Sequence, residues 1–144
     1  MPVIHADTLI EGRPADEAWE VVKNAEALAA RARHVVAVRP GPARDKAFRV
    51  NEWTVLLNGS EVSWVQREAA GPGYRLRFEQ LSGELEHLSG EWSVAPEPGG
   101  ARVTLTLTFD LGVDGLAPLL DPIWSQSFQA HAEELLRVVA ESAA

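Results

Sequence analysis

The 144-residue chain carries 13 Lys and Arg against 21 Asp and Glu, a formal charge of −8, and it has no cysteine. A composition 46% apolar and 24% charged is that of a folded protein with one core rather than a disordered or collagen-like chain. Lack of cysteine excludes disulfides, thiolate metal sites and cysteine nucleophiles, and the acidic balance works against nucleic acid, since the densest cationic patch is only Arg31, Arg33 and Arg39.

Residues 3–10 alternate loosely and predict a strand that Gly12 breaks. Pro14 suits a first helical turn, Asp16 and Glu17 sit where the helix dipole favours anions, and Ala18, Trp19, Val21, Val22, Ala25 and Leu28 predict one amphipathic helix over 14–31. Val35–Val38 is a short β-branched run ended by Pro40-Gly41-Pro42. Ala47–Leu57 is extended and stops at Asn58-Gly59, a strong hairpin signal, with Glu61–Glu68 pairing back on it.

Gly71-Pro72-Gly73 then turns the chain. Tyr74–Gln80 sets Tyr74, Leu76 and Phe78 against Arg75, Arg77 and Glu79 on the opposite face. Glu84–Val94 predicts another strand, and Pro96-Glu97-Pro98-Gly99-Gly100 a plain loop. Arg102–Leu111 alternates cleanly, with Val103, Leu105, Leu107 and Phe109 inward and threonines outward. Leu116–Leu120 reads as a short helical turn, Asp121-Pro122 as a restart, and Ile123, Ser127, Phe128, His131, Leu135 and Val138 as one face of a final helix ending near Ser142.

This order predicts an α+β domain over 1–144 in which a curved antiparallel sheet of about seven strands wraps a long C-terminal helix. A sheet bent round one helix leaves space that side chains do not fill, so a ligand cavity is expected. Five tryptophans suit its walls, because an indole offers a large rigid face and one N–H donor.

The runs Asn51-Glu52-Trp53-Thr54-Val55, Asn58-Gly59, Val62–Glu68, Arg77-Phe78-Glu79-Gln80 with Gly83, Gly90-Glu91-Trp92 and Val103–Phe109 resemble the polyketide cyclase (aromatase/cyclase) branch of the START/Bet v 1-like, helix-grip superfamily. The resemblance covers nearly the whole chain. It implies folding of a poly-β-keto chain, delivered by an acyl carrier protein, followed by aldol condensation and dehydration without metal or organic cofactor. An alternative within the superfamily is a non-catalytic carrier of a lipid, quinone or natural product.

Carried over position by position, the resemblance puts Trp64, Gln66 and Glu68 on the inner face of one strand, Trp92 on another, and His131 on the helix face toward the cavity. His131, Glu68 and Gln66 are the catalytic candidates; Trp64, Trp92, Trp53, Glu52, Phe78, Leu105 and Phe128 are the substrate-binding ones. The chain departs from the aromatase/cyclase pattern, which has an arginine where Glu68 aligns, a small hydroxyl residue near Gln66 and an asparagine where His131 aligns. It also has Leu28-Ala29 where that pattern has a Trp-Pro pair, in a segment about two residues shorter.

His131 is expected to titrate near neutral pH and so to exchange protons. Glu68 and Glu52 would form an acid–base pair if both faced inward, although alternation sets Glu52 opposite Trp53. Trp19 reads as core, and Trp124, near the expected entrance, as either a cap on the cavity or a seal at its end. His5, His34, His87 and His131 lack ligand spacing, so no metal is expected, and no serine sits in a nucleophile elbow. The expected partner is a hydrophobic or aromatic small molecule, with exposed strand edges compatible with monomer or homodimer. No apolar run is long enough for a membrane span, and Met1–Asp7 lacks a basic region and an apolar signal core, so a cytoplasmic location is expected.

Overall fold

A computed structural model of the chain describes residues 2–41, 48–112 and 115–143. Among these residues seven strands form one antiparallel sheet: β1 (Val3–Glu11), β2 (Val35–Pro40), β3 (Arg49–Leu57), β4 (Ser60–Gly71), β5 (Arg75–Gly83), β6 (His87–Glu97) and β7 (Gly100–Asp110). Their spatial order is β1-β7-β6-β5-β4-β3-β2, so the first and second strands of the chain are the two edges. Helices α1 (Ala15–Val22) and α2 (Ala25–Arg31) link those edges, and α3 (Ala117–Ala143) packs against β1, β3 and β7. This is the helix-grip arrangement: a curled sheet around a long terminal helix.

The alternation in β7 behaves as its sequence predicts. Val103, Leu105, Leu107 and Phe109 are all buried between sheet and helix, while the intervening threonines are half-exposed. Asn58 and Gly59 adopt left-handed backbone, φ 53° and 77°, which the tight β3–β4 hairpin requires.

The remaining differences are local. The single helix expected over 14–31 is two, because Asn24 leaves helical geometry and its side chain accepts the Ala27 N–H at 3.1 Å, capping α2. Pro122 lies inside a continuous α3 instead of restarting the chain; near an exposed helix end the lost hydrogen bond leaves one carbonyl for water to satisfy. Ile123, expected on the buried face, is 45% exposed. Strands β5 and β6 run to Gly83 and Glu97, and the loop expected at 96–100 shrinks because Pro96 pairs with Ala101 and Glu97 with Gly100. Of the predicted boundaries, Pro42 and Ala47 lie outside the described residues.

A register shift between Val65 and Gln66 sets Trp64 opposite Gly83 and Gln66 opposite Gln80. The odd residue, Leu81, stands 53% exposed. Gly83 is required here: a Cβ would sit 2.7 Å from that of Trp64, so any side chain would displace the indole.

Candidate functional site

Alternation along β3 and β4 delivers Asn51 and Trp53 from one strand, and Trp64, Gln66 and Glu68 from the next, to the inner face; all five are buried. Trp53 and Trp64 are direct cross-strand partners whose indoles stand nearly parallel, 5° apart in plane with centroids separated by 6.4 Å. The Trp64 N–H donates to the Gln66 Oε1 at 2.7 Å, a bond possible because alternate residues share a face. The Trp53 N–H is buried and has no partner among the described residues.

From the opposite side, α3 presents His131. Its ring stands at 85° to Trp53, Trp64 and Phe128, with centroids 6.2–6.3 Å away. Burial removes the hydration an imidazolium needs, and His34 beside it adds to the effect, so its pKa falls from 6.5 to about 3. His131 is therefore neutral at physiological pH, which corrects the expectation that it titrates there. Its Nδ1 is 2.5 Å from the Nε2 of His34.

Between these groups lies a cavity of about 20 Å³, walled by Trp53, Trp64, Gln66, Phe78, Trp92 and His131 together with Leu88, Leu105, Leu107, Phe128 and Leu135. That volume admits about one water molecule. The ligand cavity expected from the architecture is thus small, with Phe128 packed against Phe109, Trp124 and His131 at its wall.

Of the expected residues, His131, Gln66, Trp64, Trp92, Trp53, Phe78, Leu105 and Phe128 meet at this cavity. Two do not. Glu52 alternates with buried Asn51 and Trp53 and lies on the other face of β3, partly exposed, so the Glu68–Glu52 acid–base pair does not form. Glu68 is buried on the inner face but is not a cavity wall. Its carboxylate accepts from the Asn51 amide at 2.5 Å and lies 3.8 Å from the Arg49 guanidinium, which also donates to the Lys23 carbonyl at the end of α1. This carboxylate ties β3, β4 and α1 together.

Trp19 is core, stacked on Tyr74 at 5.5 Å, and Trp124 packs partly buried against Phe128. Sequence reasoning missed His34 as a partner of His131, since the two lie 97 positions apart and nothing local marks the pairing.

A wider depression of about 570 Å³ on the outer face is walled by Phe48, Arg67, Arg77, Phe78, Glu79 and Glu91. It is open to solvent and its charges pair with one another, Arg67 with Glu79 and Arg77 with Glu91, so it offers no unmatched recognition group. Phe78 walls both spaces. Phe78→Ala is expected to join them: acrylamide should quench tryptophan fluorescence more steeply, at a stability cost of about 2 kcal/mol for a half-buried ring. Unchanged quenching would show that Phe78 is not the partition.

Among the described residues no group of three His, Asp or Glu is placed to hold a metal ion, and no helix is long and apolar enough to cross a membrane.

A curled antiparallel sheet gripping a long terminal helix is the helix-grip, START/Bet v 1-like fold. The family model described as polyketide cyclase / dehydrase and lipid transport matches residues 12–138, and the chain belongs to that family. Among solved structures it is similar to TTHA0849 from Thermus thermophilus, with 27% identity over 99% of this chain and 97% of that one and a TM-score of 0.90. The Zhui aromatase/cyclase from Streptomyces sp. R1128 shares the fold at 18% identity, covering 99% and 94% of the two chains with a TM-score of 0.84. A START superfamily protein from Mycobacterium smegmatis does so at 12% identity, 96% and 97% coverage and a TM-score of 0.75. No protein of curated function matches the chain.

Proposed function

We propose that this chain binds an apolar molecule bearing carbonyl oxygens between the sheet and α3 and promotes its aldol cyclisation and dehydration, as a cofactor-independent polyketide cyclase or aromatase-like protein. One observation carries the reading: Trp53, a wall of this largely apolar cavity, has a buried N–H donor that finds no partner among the described residues. A buried donor is costly when left unmade, and a carbonyl oxygen would satisfy it.

The Gln66 amide and the His131 imidazole stand at the same cavity. In aldol ring closure water admitted with the ligand would take the α-proton, and the enolate carbon would attack the second carbonyl. The alkoxide would regain a proton from that water, and dehydration would release the hydroxyl and a further α-proton as water. Donors placed as these are would stabilise the enolate oxygen. Trp64, Trp92 and Phe128 would pack against the carbon frame. Admission of a ligand requires the aromatic layer to part, with Phe78 as the side chain between inside and outside.

In this reading residues 1–144 act as one cytoplasmic ligand-binding domain, with an acyl carrier protein delivering the substrate. A second reading, a carrier that holds a hydrophobic molecule without chemistry, is favoured by the lack, among the described residues, of any charged side chain at the cavity wall.

Two probes of matched size test whether a carbonyl oxygen is recognised: 1-acetonaphthone, which has one, and 1-ethylnaphthalene, which has none. Tryptophan fluorescence titration should show the ketone bound about tenfold more tightly, the worth of one buried hydrogen bond, and Trp53→Phe should erase much of that preference. Equal affinities would favour the carrier; no binding of either would end the ligand-binding reading.

A further inference from the structure

The inner cavity meets a second groove, of about 380 Å³, at a pair of imidazoles, since His131 walls both spaces and His34 the outer one. The rings are 4.7 Å apart and nearly perpendicular, at 79°, and their nearest nitrogens are His34 Nε2 and His131 Nδ1. With both rings neutral, one hydrogen occupies that contact, and the surroundings decide which ring carries it.

Were it on His131 Nδ1, His34 would hold its own hydrogen on Nδ1. That nitrogen is fully buried and without a partner among the described residues, so an N–H donor would be stranded away from water. Were it on His34 Nε2, the unbonded N–H would instead be that of His131 at Nε2, which is not among the fully buried atoms left without a partner, and His34 Nδ1 would be a bare acceptor. The turn bearing His34 is held on two sides. The Leu56 N–H donates to the His34 carbonyl at 2.8 Å, and the neighbouring Arg33 N–H donates at 2.8 Å to Glu134, whose carboxylate Arg137 clamps with two bonds of 2.7 Å.

We infer that His34 is a positioning residue: it commits His131 to the tautomer with hydrogen on Nε2, a neutral donor that selects ligands presenting an acceptor oxygen. The functional consequence rests on the ligand-binding reading above; the tautomer itself does not. No proton is transferred, since the hydrogen stays on Nε2 while the oxygen accepts it. Trp53 and Gln66, which wall the same cavity, carry N–H donors of their own.

Long-range proton–nitrogen correlation spectra of the full chain labelled with 15N-histidine, at pH 7.5 and without ligand, test this directly. His131 is expected to show a protonated Nε2 and a bare Nδ1. In His34→Ala the opposite tautomer should rise at least tenfold, and in His34→Gln, whose carboxamide can donate to Nδ1, the original form should return. A wild-type His131 protonated at Nδ1, or a single unchanged tautomer in His34→Ala, overturns the inference. His34→Ala should also reduce the preference for 1-acetonaphthone over 1-ethylnaphthalene by several-fold, with affinity for the hydrocarbon unchanged. If the tautomer is as expected and the ketone is still not preferred, the ligand reading fails and the positioning role stands.

Discussion

Lowering the pH from 7.5 to 5 should cost the folded state about 2 kcal/mol through His131 alone, and on the order of 4 kcal/mol by pH 3. The folded pKa of about 3 lies below the ordinary 6.5, so the unfolded chain binds this proton first. Stability is therefore complete above the unfolded value and falls as the pH drops through it, until the folded-state histidine also protonates. His34, shifted the same way by burial and only partly offset by Glu134, adds to the loss.

Glu134 acts in a lower window. Arg137 and the Arg33 N–H hold its carboxyl at about 2, so its contribution is present above 4.5 and disappears only between there and 2. The interval from pH 7.5 to 5 thus isolates the histidines. Urea unfolding at pH 7.5, 6 and 5 measures the slope, and His131→Gln should flatten it. A slope undiminished in that variant, rather than reduced to the smaller contribution of His34, would place the acid sensitivity elsewhere.

Phe128→Ala should cost about 3–5 kcal/mol and convert the narrow interior into a binding cavity. Phe128 is fully buried, 4.6 Å from Phe109 between ring centroids and 6.4 Å from Trp124, and it walls the present space of about 20 Å³. Removing its ring leaves an apolar void of the kind that binds benzene at roughly 150 Å³ in an engineered protein. Benzene should therefore raise the melting temperature of Phe128→Ala by more than it raises that of the unaltered chain, whose aromatic layer must part to admit it. If benzene has no effect on the variant, sheet and helix have closed over the gap and the aromatic layer is more plastic than its packing indicates.

Much of the scaffold is legible in local pattern. Period-two alternation places Val103, Leu105, Leu107 and Phe109 on one side of β7, and the Asn58-Gly59 pair sets the hairpin that brings Trp53 beside Trp64. The same alternation puts Trp64, Gln66 and Glu68 together and turns Glu52 away. Where a single residue's backbone preference decides, as at the Asn24 cap, the helical period of the flanking segments hid the break.

What the residues determine by themselves is thus which faces are buried and which side chains can meet, because pleat, helical period and turn chemistry act over a few neighbours. The tertiary structure alone decided how much space is left between those faces, that Glu68 is engaged by Asn51 and Arg49, and that His131 is buried against His34. Those outcomes depend on the summed volumes of side chains far apart in the chain and on whether water reaches each polar atom, quantities that no local pattern encodes.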